Sequence, residues 1–146
     1  MSDRALTFAL ELPAPPERAF AAITEARHLR RWFCDVCESE PRPNGRLIMR
    51  WTRSESSPAP FEARWVEFSP PSRAAFQGGH AGYPAGNAGV VWLSVEPAGT
   101  GSRLEVRHEL PPRGSYEELA AGWRSAWPRA LERLARYLEP VERTKH

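Results

Sequence analysis

The chain has 146 residues, a length that suits one domain able to bury a core without help from disulfides or metal. Its formal net charge of +2 argues against a nucleic-acid footprint, and no apolar run approaches the ~18 residues of a membrane span. No basic start leads into a long apolar core, so no signal peptide is visible. The expectation is a soluble, cytoplasmic, single domain over residues 1–146. Nineteen of the twenty basic residues are Arg, with Lys145 the one Lys, which suggests the coding bias of a GC-rich bacterial genome.

Residues 4–12 alternate, with Leu6, Phe8, Leu10 and Leu12 on one side, the period of a half-buried strand. Pro13 ends it. Pro15 and Pro16 suit the first turn of a helix, where a missing N–H costs nothing, and Ala19, Phe20 and Ile23 then recur at helical spacing. Thr24 is expected to break this helix and cap a second one. In that second helix Leu29, Trp32 and Phe33 point one way and Arg27, Arg30 and Arg31 the other.

Asn44-Gly45 signals a turn. Leu47, Met49 and Trp51 alternate after it, and 53–60 reads as a Ser- and Pro-rich hairpin loop. Phe61–Phe68 is a strand whose apolar phase shifts between Trp65 and Val66, the mark of a bulge or a buried middle. Pro70-Pro71 closes it, and 74–77 forms a short further strand. Residues 78–89 hold five glycines and read as a mobile loop. Val90–Glu96 is a strongly apolar strand, and Gly99-Thr100-Gly101 is its turn. In 103–110, Leu104, Val106, His108 and Leu110 face inward.

From Ser115 the period becomes helical. Ser115-Tyr116-Glu117-Glu118 reads as a capping box, and Leu119, Trp123, Ala126, Trp127, Ala130, Leu131, Leu134 and Leu138 form one apolar stripe. Pro128 removes the bond to the Arg124 carbonyl and is expected to kink the helix. Residues 141–146 read as a frayed end. Antiparallel strands with segregated helices mean an α+β fold: six to seven curved strands wrapped on a long C-terminal helix, with two short helices after the first strand.

That order, with these residues, resembles the helix-grip fold of the START-like (SRPBCC) superfamily. Within it the chain is similar to the family named for the activator of the heat-shock protein 90 ATPase. The matching segments are Pro13–Glu17 with Phe20, Leu29–Phe33, Pro41–Gly45, and Trp65–Pro71 with Arg73. They continue with Val91–Glu96, Gly99-Thr100, Leu104–His108, and Gly122-Trp123 followed by Leu131, Leu134 and Leu138. The chain departs from the pattern at Asn44, at Ala63 and at Pro128. The resemblance implies a hydrophobic cavity between sheet and long helix and transfers no catalytic residue.

His108 is the most informative polar residue, because period two puts it on the cavity side. An imidazole titrating near ~6.5 serves there as a ligand hydrogen bond, a catalytic acid/base, or a satisfied core group. Trp32, Phe33, Met49, Trp51, Trp65, Trp92, Val106, His108, Trp123 and Trp127 are the expected cavity lining, with plain core the alternative for most. The first functional reading is binding of a small hydrophobic or aromatic molecule. The second is a polyketide cyclase- or aromatase-like enzyme in which His108 works with Tyr83 or Glu67. The third is an interaction module acting on a chaperone.

No cofactor is called for, and a homodimer is compatible with everything above. Cys34 and Cys37, three apart on an extended chain, face opposite sides, so without a turn between them they cannot share a metal ion, and two ordinary thiols are preferred. Gly78-Gly79-His80-Ala81-Gly82 lacks the Lys and the helix of a phosphate loop. Arg27, Arg30 and Arg31 with His28 read as a solvated basic face.

Overall fold

The computed structural model describes residues 5–50, 61–80, 89–110 and 116–139. The elements run β1 (Ala5–Leu12), α1 (Pro16–Thr24), α2 (Ala26–Trp32), β2 (Val36–Ser39), β3 (Arg46–Arg50), β4 (Phe61–Ser69), β5 (Arg73–His80), β6 (Gly89–Ala98), β7 (Gly101–Glu109) and α3 (Tyr116–Leu138). Trp51, the 53–60 loop, Tyr83, the Ser115 cap and the 141–146 tail lie outside the described residues. The strands make one antiparallel sheet in the order β1-β7-β6-β5-β4-β3-β2, so β1 and β2 are its outermost strands. Among the described residues no helix is long and apolar enough to cross a membrane.

The chain enters α1 as its prolines dictate: extended Pro15 is the N-cap and Pro16 the first helical residue. α1 buries Ala19, Phe20, Ala22 and Ile23. Thr24 ends α1, but it does not cap α2. Its hydroxyl donates to the Phe20 carbonyl at 2.8 Å, inside its own helix, and Glu25 takes the N-cap position without a side-chain bond. Trp32 ties the helices together, its indole N–H donating to the Ala22 carbonyl at 2.8 Å.

Asn44 sits at φ 65°, the left-handed conformation an Asn tolerates. Behind it the chain folds tightly, and a Cβ on Gly45 would stand 1.9 Å from the Glu40 carbonyl oxygen. In β4 the register slips between Trp65 and Glu67, leaving Val66 as the 48% exposed bulge residue. The slip reverses the alternation. Phe61, Ala63 and Trp65 face inward before it and Phe68 after it, so Trp65 and Phe68 meet edge-on with ring centroids 5.6 Å apart.

β5 is longer than the expected 74–77, reaching from Arg73 through His80. Gly78 stays in the ladder because β4 passes so close that a Cβ there would lie 2.0 Å from the Glu62 carbonyl oxygen. α3 lies over the inner face against β1 and α2, with Trp127, Ala130, Leu131, Leu134 and Leu138 buried. It runs through Pro128 as one helix. Pro128 and Arg124 are both exposed, so the carbonyl that loses its partner lies on the solvent side. Arg133 of α3 donates to the Trp32 carbonyl at 2.9 Å, at the end of α2 where a cation complements the helix dipole.

Gly45→Ala is expected to cost about 2 kcal/mol or more, because the methyl would displace backbone instead of a flexible side chain. Urea unfolding checks this as a lower midpoint at unchanged slope.

Candidate functional site

β7 and α3 bring the central group of side chains together. β7 turns Leu104, Val106 and His108 to the inner face, opposite Leu10, Phe8 and Leu6 of β1 and Val95, Leu93 and Val91 of β6. On α3, Trp123 and Trp127 are one turn apart, with ring centroids 6.0 Å apart. His108 fits between helix and sheet. Its ring is 4.8 Å from Trp123 and 6.1 Å from Trp127, both edge-on. Trp127 Nε1–H donates to His108 Nδ1 at 3.0 Å, so the neutral ring carries its proton on Nε2. Among the described residues Nε2 has no hydrogen-bond partner.

Burial pushes the His108 pKa down to about 4, so the ring is neutral at physiological pH. A group 4% exposed and donating from Nε2 can orient a ligand's acceptor. A general base would need a proton-accepting nitrogen instead, and Nδ1 is occupied.

The aromatic wall continues from there. Phe33 stacks on Trp127 at 5.3 Å and 22°, and Phe61 meets Trp123 edge-on at 6.4 Å. Trp32, Phe33, Met49, Trp65, Val106 and Trp127 are all buried on this side, and Trp123 is half-buried. Trp65 Nε1–H donates to Ser39 Oγ at 3.1 Å, and that hydroxyl donates to the Thr24 carbonyl at 2.7 Å. The indoles of Trp32, Trp65 and Trp127 are thus hydrogen-bonded within the protein. Trp123 Nε1 has no such partner among the described residues.

Where Trp32, Phe33 and Leu29 close the interior against Leu93, Leu104, Trp127 and Leu131, the remaining cavity measures only about 10 Å³. That is at most the room of one water. This end is packed.

Trp92 is a correction. It alternates with the buried Val91 and Leu93 and lies on the outer face, paired with Ala75 and Arg107. There it borders an open depression of about 690 Å³ with Thr7, Arg73, Ser94, Glu105 and Arg107. Its Nε1 is buried without a hydrogen-bond partner among the described residues. Glu67 is also on the outer face, 3.6 Å from Arg73, and so does not accompany His108.

His28 does not belong to an open basic face. Its Nδ1 lies 2.6 Å from the Tyr137 hydroxyl of α3, and burial, with Arg27 beside it, holds its pKa below the ordinary value. Arg27, Arg30 and Arg31 are exposed, Arg27 pairing with Glu25 at 3.0 Å. The two cysteines depart from the extended-chain expectation as well. Cys34 lies before β2 and the chain bends at Asp35, so the two residues do not share one extended strand; both thiols are free and buried. Among the described residues no group of three or more His, Cys, Asp or Glu could hold a metal ion.

A curved antiparallel sheet closed on one long helix, with a helical pair after the first strand and an aromatic interior, defines a START-like, helix-grip protein. The chain belongs to the family of activator of Hsp90 ATPase homolog 1-like proteins, whose model matches residues 13–139. No curated protein sequence matches it. Solved structures share the fold. Protein MLL2253 of Mesorhizobium loti is 18% identical with a TM-score of 0.77, covering 92% of this chain and 96% of its own. The Aha1 dimer of Colwellia psychrerythraea, solved in solution, is 14% identical with a TM-score of 0.77, covering 94% and 98%. CalU16 of Micromonospora echinospora is 20% identical with a TM-score of 0.68, covering 93% and 76%.

His108 makes folding sensitive to acid. Below pH 6.5 the unfolded chain takes up a proton that the folded protein refuses until about pH 4. Stability therefore falls as pH drops through that window, by up to about 3 kcal/mol in all. His108→Gln keeps an acceptor for the Trp127 indole and removes this titration. The thermal midpoint of the variant is expected to fall less than that of the parent between about pH 7 and about pH 5, with the His28 contribution left in place.

Proposed function

We propose that the protein binds a small hydrophobic or aromatic molecule at the Trp123 end of the helix-grip interior. The observation that carries this reading is the half-buried Trp123 indole, walled by Phe61 and His108 and without a hydrogen-bond partner for its N–H among the described residues. A flat apolar ligand gains burial against these rings, and the His108 Nε2–H offers one oriented donor for an acceptor on it. The packed end beyond Phe33 limits the ligand to what fits between Trp123 and the mouth of the sheet.

A cyclase-like chemistry is the less supported reading. It needs a second acid/base group near His108, and Glu67 pairs with Arg73 on the far side of the sheet. A chaperone partner rests on the family's name alone, and no described surface argues for one. The family likeness and the START-like fold support looking for a ligand between sheet and long helix and do not name it.

The apolar dye 1-anilinonaphthalene-8-sulfonate is the simplest probe of the folded protein. Its fluorescence is expected to rise on mixing, and Trp123→Ala is expected to weaken binding roughly tenfold, the equivalent of about 1.4 kcal/mol. Trp92→Ala, on the outer face, is expected to leave the affinity unchanged. Equal weakening by both substitutions, or no dye binding by the parent, would remove the reading.

A further inference from the structure

The interior holds few polar atoms, and their bonding leaves a one-sided remainder. Thr24, Ser102 and His108 are the buried polar residues, and no charged side chain is buried among the described residues. The Thr24 hydroxyl donates to the Phe20 carbonyl at 2.8 Å, and the Ser102 hydroxyl to the Ala14 carbonyl at 2.6 Å. Both lie away from His108: Thr24 ends α1 beside Ser39 of β2, and Ser102 opens β7, roughly 20 Å along the strand. Half-buried Ser39 accepts from Trp65 and donates to the Thr24 carbonyl. The Trp32 and Trp127 N–H groups end on the Ala22 carbonyl and on His108. Backbone groups of β7 are taken up by its ladders with β1 and β6. Two N–H donors remain without a partner among the described residues, His108 Nε2 and Trp123 Nε1. Against them stand the weakly accepting sulfurs of Met49, Cys34 and Cys37.

The donor character of His108 is fixed by its neighbour. An indole N–H only donates, so Nδ1 must keep its lone pair, and the ring is uncharged with its hydrogen on Nε2. Burial favours the same uncharged form. The ring cannot turn an acceptor to a ligand without abandoning Trp127 and leaving that N–H buried and unpaired. The His108 and Trp123 rings stand 4.8 Å apart, so both free donors serve one neighbourhood. A carbonyl oxygen has lone pairs and no hydrogen, so it answers these donors and leaves nothing unmatched. A hydroxyl in its place buries a hydrogen that finds no acceptor. A carboxylate buries a charge with no counter-charge, and a hydrocarbon leaves the donors unanswered.

We infer that the Trp123 end selects an uncharged aryl ketone over the corresponding alcohol, carboxylate or hydrocarbon, with the ketone oxygen facing His108 Nε2–H. This rests on the reading that an aromatic molecule enters beside Trp123, and adds to it the chemistry of the group that His108 meets. A charged substituent on such a ligand is tolerated only where it stays in water.

Equilibrium dialysis of the folded protein against four compounds of one frame tests this: 2-acetylnaphthalene, 2-isopropenylnaphthalene, 1-(2-naphthyl)ethanol and 2-naphthoate. The ketone is expected to bind about tenfold more tightly than the alkene, the alcohol or the carboxylate. His108→Leu removes the Nε2 donor and is expected to reduce the advantage of ketone over alkene while the alkene still binds. If that variant fails to fold, the carbonyl stretch of the ketone bound to the parent decides. It is expected at lower frequency than in hexane, and an unshifted band overturns the inference. So does an alkene, alcohol or carboxylate that binds as tightly as the ketone, or a folded His108→Leu that keeps the full preference. In each of these cases a naphthalene is still bound, so the broader reading of an apolar aromatic ligand survives. Binding of none of the four removes both.

Discussion

A single hydrogen bond between sheet and helix sets the arrangement of the interior. Trp127 of α3 donates to His108 of β7 at 3.0 Å in a region where both groups are almost fully buried. Neither polar group can be left alone there without a cost of order 1–3 kcal/mol, so the pair fixes how α3 is rotated over the sheet. Phe33 stacks on the same indole at 5.3 Å and Phe8 approaches it at 6.4 Å. The end of α2, the strand β1, the strand β7 and the long helix therefore all take their position from one side chain. With Trp127 turned inward, the adjoining Pro128 is left exposed, where water can serve the carbonyl it leaves unbonded.

The same constraint divides the interior into two regimes. On the α2 side the large side chains interlock and leave about 10 Å³. Their indole N–H groups are spent on the Ala22 carbonyl, on Ser39 and on His108. Such residues are committed to holding the fold. One turn earlier on α3 the balance changes. Trp123 is half-buried and touches His108 and Phe61. Neighbouring residues of one helical stripe thus sit in different settings, Trp127 enclosed and Trp123 half-buried.

Much of this was legible from periodicity. The alternation of Leu104, Val106 and His108 placed the histidine correctly on the inner face, and the phase break after Trp65 announced the bulge at Val66. The Asn44-Gly45 turn and the proline entry into α1 were equally plain, because backbone geometry demands those residues. Trp92 was not readable. Val90, Val91, Trp92 and Leu93 are all apolar, so the pattern carries no phase, and the pairing of Trp92 with Ala75 and Arg107 comes from neighbours distant in sequence. The break from extended chain between Cys34 and Cys37 escaped because a bend at Asp35 has no strong local signal. Thr24 escaped for a different reason: its hydroxyl bonds equally well within the helix it ends or to the next one, and tertiary burial chose the former.

The sheet is open, with β1 at one end and β2 at the other. An open antiparallel edge is a template on which another chain can add a strand, and proteins limit that hazard with short or covered edges. Here β2 offers four residues, and β1 lies under α3. Strand addition between copies therefore finds little backbone at the β2 end. The four-residue β2 is in this sense a guard, at one margin of the sheet, against joining copies into fibres.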